Sequence, residues 1–242
     1  MVNNKRGIFL CGVLLFSMVF GGAVDRCDAR GGPKPYVRQA EGGSLDFNWS
    51  LLGVRKGKNA LQVVQIQRDT ALRSGDQLMF NFEPRAECYL YLLYSDVSGK
   101  FQLLFPSSGK GFARALRTGE KVSVPDPGGK MELDNQSGDE TVYLLVSAVR
   151  LEALEGACQQ LLSPSAAEGV DSDRKLLSEV RSAIRTNSQN AATIAEVPAR
   201  IAGTLRGAQK PAASASELDV SKYSIHVTAR NFYAKKIVIH HR

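Results

Sequence analysis

Histidine and tryptophan are scarce in this 242-residue chain, at three and one, and cysteine is little commoner, at four. The histidines, His226, His240 and His241, all lie near the C-terminus. Neighbouring residues of a strand point to opposite faces, so His240 and His241 cannot serve one site from the same strand. No third ligand stands at a zinc-like spacing, so no metal and no other cofactor is expected, and the histidines read as solvent-facing strand residues. No G-x-S-x-G is present, and no Ser or Cys stands in a pattern that pairs it with a histidine and an acid. Ser107-Ser108-Gly109-Lys110-Gly111 fails as a phosphate loop, because Leu104 occupies the position of the first glycine. The acidic pairs Asp126/Glu132 and Asp139/Glu140 read as turn and solvent residues. The expectation is therefore a protein with no catalytic residues, not an enzyme. There is no internal repeat.

A long membrane span is also missing. Lys5 and Arg6 precede an apolar run whose core, Ile8 to Phe20, is shorter than the roughly 20 residues that cross a bilayer. A basic start, a short apolar core and small residues afterwards describe a secretory signal. Cleavage after Ala23 or after Ala29 fits, with an uncleaved anchor as the alternative; residues 1–29 are read as the signal peptide. Once the signal is removed, no stable membrane span remains. Arg26 before Cys27 is unlike a lipid-attachment site. An exported chain keeps Cys88 and Cys158 in an oxidising compartment. Two cysteines are too few for a disulfide scaffold, but they are a pair available for one bond. Cys88 has apolar neighbours on its face of the strand, which suits an inert thiol or a disulfide.

The chain carries a formal charge of +7. Residues 30–60 hold six Lys/Arg against two acids. Outside the cytoplasm, nucleic acid is not an expected partner; an envelope protein, a peptide or anionic cell-wall material is. Lys110, Arg114 and Arg117, in the loop 107–120, are the candidate contacts for an anion or a partner.

What the sequence has in plenty is alternation. Leu78, Phe80 and Phe82 share one face of a strand, Leu90, Leu92 and Tyr94 one face of the next, and Phe101, Leu103 and Phe105 one face of a third. Turn residues separate them, so 73–106 reads as a β-meander. Phe47-Trp49-Leu51, Leu61–Gln67, Lys121–Val124 and Glu140–Val149 add strands, the last apolar enough to be central. Tyr89, Tyr91 and Tyr143 make a second apolar face that helices are expected to cover. Leu151–Leu162 can be helical; Leu176, Leu177, Val180 and Ile184 recur at helical spacing; Asn190–Leu205 reads as a further helix broken at Pro198. Tyr223–Thr228 and Tyr233–His241 close the chain as strands. The fold class is mainly β: an antiparallel β-sandwich with a helical insertion before the last two strands. After the signal come a flexible linker (30–44), the sandwich (45–150), a helical insertion and linker (151–217), and C-terminal strands completing the sandwich (218–242).

Several short motifs carry a resemblance. Gly75-Asp76 precedes an alternating strand; Tyr89-Leu90-Tyr91, Ser98-Gly99 and Leu104-Phe105-Pro106 follow; then come Gly119, Val124-Pro125, Gly138 to Glu140 and Val142–Val146. The closing Ile237 to Arg242 adds to the pattern. Region 73–149 resembles the bacterial family called domain of unknown function 4384. The resemblance implies an exported β-domain of the bacterial periplasm or cell envelope, and it carries no catalytic residues over. The expected function is a non-catalytic envelope module that binds protein, peptide or cell-wall material. The alternatives are a hydrolytic enzyme with a site the sequence does not advertise, and a structural assembly component of the envelope. A buried carboxylate or histidine in a pocket would favour the enzyme.

Overall fold

A computed structural model describes residues 43–57, 61–66, 70–127, 129–163, 170–188, 195–198 and 219–242. The expected signal, 1–29, and most of the expected linker lie outside the described residues. The described part has three layers, and the reason is visible in which strands are apolar on one face and which on both.

The first sheet has one apolar face. In β1 (Ser44–Lys56), Leu45, Phe47, Trp49 and Leu51 point inward while Asp46, Asn48 and Ser50 point out. β4 (Gln77–Pro84) repeats this with Leu78, Phe80 and Phe82 buried. The sheet runs β7 (Val122–Val124), β4, β1, β10 (Ile225–Arg230), β9 (Ala195–Pro198). Beyond Trp49, β1 outlasts β10, and β2 (Leu61–Gln65) pairs with its far end from Leu52 to Lys56.

The second sheet has two apolar faces. Its order is β3 (Thr70–Leu72), β11 (Phe232–His241), β8 (Gly138–Ser147), β5 (Tyr89–Ser95), β6 (Phe101–Phe105). β3 lies parallel to β11, and the other pairs are antiparallel. Leu90 and Leu92, Val142, Leu144 and Val146, and Tyr233, Ile237 and Ile239 meet the first sheet in the sandwich core. Tyr91, Leu93, Tyr143, Leu145 and Phe232 face the other way, onto α1 (Glu152–Leu161) and α2 (Val170–Ser188). Fully burying such a side chain stabilises by about 1.5–3 kcal/mol, so neither face could be left to water.

Two expectations change, and the choice left open for the cysteines is decided. The run 73–106 is not a meander: β4 belongs to the first sheet, whereas β5 and β6 belong to the second. The chain changes sheets after Pro84, where the Arg85 and Ala86 amides donate to the Asp46 carbonyl at 2.7 and 3.0 Å. This follows from burial, since a strand apolar on one face suits the outer sheet and one apolar on both suits the middle. The last two strands lie in different sheets; Asn231, with φ 63°, turns the chain from one sheet into the other. Ala195–Pro198 is a strand on β10, not helix, and the rest of the helix expected at 190–205 lies outside the described residues. Finally, Cys88 and Cys158 are free thiols in different cores, one in the sandwich and one on α1 under the helical layer, with the second sheet between them.

One buried polar knot pins the helices. Tyr91 donates its hydroxyl to Glu155 Oε1 at 2.6 Å and accepts the Leu151 amide at 3.1 Å. Arg150 reaches the same carboxylate at 2.5 Å. Tyr91→Phe should therefore leave the Leu151 amide unpaired and Glu155 Oε1 with only the long 3.4 Å contact from Arg150, at a cost of about 1–3 kcal/mol. Urea denaturation should show a lower midpoint at unchanged slope. An unchanged midpoint would show that this knot does not hold the helical layer.

Candidate functional site

Two polar regions stand out against this apolar framework. The first lies on the outer face of the first sheet. The alternation that sends Phe47 and Trp49 inward turns Asn48 and Ser50 out; on β4 it turns out Asn81 and Glu83, and Ser123 joins them from β7. Asn81 Nδ2 donates to Ser50 Oγ at 3.4 Å, and Ser123 Oγ donates to Asn81 Oδ1 at 3.1 Å. Lys121 and residues Val220, Ser221 and Ser224 wall this floor into a half-open groove of about 410 Å³. The wall is fixed: Asp219 accepts the Ser221 hydroxyl at 2.5 Å, and Gln65 donates to the Tyr223 carbonyl at 2.7 Å. On the same face His226 meets Asp46 at 2.8 Å.

The second region closes one end of the sandwich. Three neighbouring strands each finish their inward-facing series with a polar residue. Tyr94 follows Leu90 and Leu92, Glu140 precedes Val142 and Leu144, and His241 follows Ile237 and Ile239. Tyr94 donates to Glu140 Oε2 at 2.5 Å, and burial, followed by that bond, pushes its hydroxyl pKa up, so it remains a donor. Glu140 Oε1 lies 2.9 Å from His241 Nδ1, and His241 Nε2 lies 3.0 Å from Ser74 Oγ. With Glu140 ionised, the Nδ1–H donates to it, the Nε2 lone pair of the neutral ring faces Ser74, and Ser74 donates. The His241 side chain is 0% exposed and that of Glu140 is 3% exposed, whereas Ser74 is open to solvent.

Ser74 sits on the tight turn before β4, closed by the Asp76 amide on the Arg73 carbonyl at 2.9 Å, with Gly75 at φ 82°. That φ suits glycine. The buried Asp76 carboxylate locks the turn by accepting the Arg73 amide at 2.9 Å and Arg55 Nε at 2.6 Å. A pocket of about 360 Å³ opens beside it, lined by Arg55, Arg73, Ser74, Gln77 and Glu132 among others. Asp134, Glu140 and His241 also hold ligand-capable atoms within 4.8 Å of one another. Glu140 and His241 are already bonded to each other, and exposed Asp134 accepts the Gln136 amide at 2.7 Å.

The residues expected from sequence lie elsewhere. Lys110 is exposed on a 3₁₀ turn, Gly109–Ala113. Arg114 is clamped by Glu120 at 2.6 and 2.8 Å, so its charge is matched, and the exposed Arg117 gives its amide to the same carboxylate at 3.2 Å. His241 is buried and not solvent-facing, because it continues the inward face of β11 past the last isoleucine. Ser74 carried no signal of its own, and Glu140, read from the sequence as a turn and solvent residue beside Asp139, is buried instead, because it keeps step with Val142 and Leu144 on the inward face of β8.

The framework is a β-sandwich with one sheet covered by helices. Residues 71–150 match the family model described as a domain of unknown function (DUF4384). The match spans Ala71 in β3 through the end of β8, so it takes in Ser74 and Glu140 but not His241. No curated protein and no solved structure matches the chain.

Two outcomes test this description. Burial pushes both thiols up to about 12, with Glu87 adding to Cys88 and Glu155 to Cys158. Iodoacetamide should spare both in the folded protein and alkylate both once it is unfolded without reductant. A Cys88–Cys158 crosslink in a non-reduced digest would contradict the two-core arrangement. For Asp76, burial opposes ionisation, but the bonds from Arg55 and the Arg73 amide, with both arginine charges, outweigh it and hold the carboxyl below its ordinary value. A depressed carboxyl stabilises above its unfolded pKa of about 4 and loses that contribution as pH falls through the folded value. Asp76→Asn should destabilise by roughly 1.5–3 kcal/mol at neutral pH. The difference from the parent should close below pH of about 4; urea titrations across pH check this, and a pH-independent difference would refute it.

Proposed function

We propose that this protein is an exported module of the cell envelope whose groove on the outer sheet binds, without catalysis, a polar chain, a peptide or cell-wall strand. The observation that carries the reading is the groove itself: a half-open trough of about 410 Å³ whose floor is hydrogen-bonding side chains held to one another. Asn81 is bonded to both neighbours, so its amide is pre-oriented and a ligand need not pay to order it. The floor offers donors and acceptors but no open aromatic face, which favours an amide-bearing chain over stacking on a bare sugar ring. The net charge of +7 suits an anionic partner. The basic start and short apolar core of residues 1–29 support export.

Calorimetric titration of the full chain with peptide-bearing cell-wall fragments should give saturable binding. Asn81→Ala should weaken it roughly 2- to 13-fold, the span of one net hydrogen bond. Cell fractionation should recover the protein with the envelope. Absence of binding by the folded parent, or recovery in the cytosol, would sink the proposal.

A further inference from the structure

We propose that Ser74, His241 and Glu140 form a nucleophile–base–acid relay that hydrolyses small uncharged acyl esters in the pocket beside Ser74. This activity is independent of the groove on the outer sheet. The relay is assembled from residues 167 and 101 positions apart, and each contact uses the nitrogen that the chemistry requires. Nε2 of His241 faces the serine hydroxyl at 3.0 Å, and Nδ1 faces the carboxylate at 2.9 Å. A second donor, Tyr94, fixes the far oxygen of Glu140 at 2.5 Å, so the acid cannot turn away from the imidazole. Of the base and the acid neither meets solvent, while Ser74 does. A merely structural cap on the sandwich end would not need its outermost member on a locked, exposed turn at the mouth of a cavity.

The pocket sets the substrate class. Its volume of about 360 Å³ lies at the lower end of the range for small-molecule sites. Arg55 and Arg73 are balanced by Asp76 and Glu132 around it, so no net charge selects for an ion. A short acyl ester fits both limits. Ser74 Oγ adds to the ester carbonyl carbon while its proton passes to His241 Nε2. The bond from carbon to the leaving oxygen then breaks, and His241 returns the proton to the departing alkoxide. Water repeats the sequence on the acyl-serine: its proton goes to His241, its oxygen to the acyl carbon, and Ser74 leaves with its proton restored. Ester and water become acid and alcohol. Glu140 acts through His241 as a positioning residue.

The test uses the full chain and a fluorophosphonate probe. Peptide mass spectrometry should find the adduct on Ser74 in the folded protein, and Ser74→Ala should remove it. Turnover of p-nitrophenyl acetate should fall to the buffer rate in S74A. In Glu140→Gln, which keeps the shape but disfavours the needed tautomer, kcat should fall roughly 10²–10⁴-fold with little change in KM. Circular dichroism establishes folding of each variant; if E140Q unfolds, S74A decides alone, because Ser74 is exposed. No adduct on Ser74 in the folded parent, or full turnover in S74A, overturns the relay. So does loss of turnover in EDTA, which would assign the cluster to a cation shared with Asp134.

Discussion

Burial of the second sheet on both faces is the constraint from which the rest follows. Strands β5, β8 and β11 are apolar on either side, so a single partner layer cannot satisfy them. The first sheet supplies one cover and the two helices the other. The helical segment is thus a required third layer, fixed by Tyr91 and Glu155 at one point and by the Phe101 amide on Asp173, at 2.9 Å, at another. The first sheet, needed on one face only, is free to present polar side chains outward, and that freedom makes the groove.

Most of this framework was legible from residue types. Period-two runs such as Leu78-Phe80-Phe82 and Leu90-Leu92 located strands correctly, and the tyrosines of β5 and β8 did lie under helices. Alternation reports which side chains share a face, but it does not say which sheet that face belongs to. That is why β4 and β5 were read as neighbours when they lie in opposite sheets. The strand at Ala195–Pro198 escaped because an alanine-rich run favours helix locally, whereas β10 offered it an unpaired edge.

The polar sites were harder for a physical reason. Their members come from chain segments far apart, and each alone looks ordinary: a turn serine, an acid at the start of a strand, a histidine at the end of another. Only register unites them, through pairs such as Ile239 with Glu140 and His241 with Gly138. The basic loop shows the reverse. Lys110, Arg114 and Arg117 are conspicuous in sequence, yet Glu120 matches Arg114 within the same loop. Composition marks charge, and only packing decides whether that charge is free.

The placement of β10 and β11 bears on kinetics. Ser44 pairs with Arg230 and Gly138 with His241, so both sheets wait for partners that arrive late along the chain. Such long closures add little to the equilibrium cost, about 0.6 kcal/mol per doubling of loop length. They slow folding, because non-local pairing must be found before it is rewarded. A chain with this contact order lingers with β1 and β8 unpaired along an edge. Lingering is a hazard where concentration is high, since such edges aggregate. Under the export proposed above, the same delay would be an interval in which transport can outrun collapse.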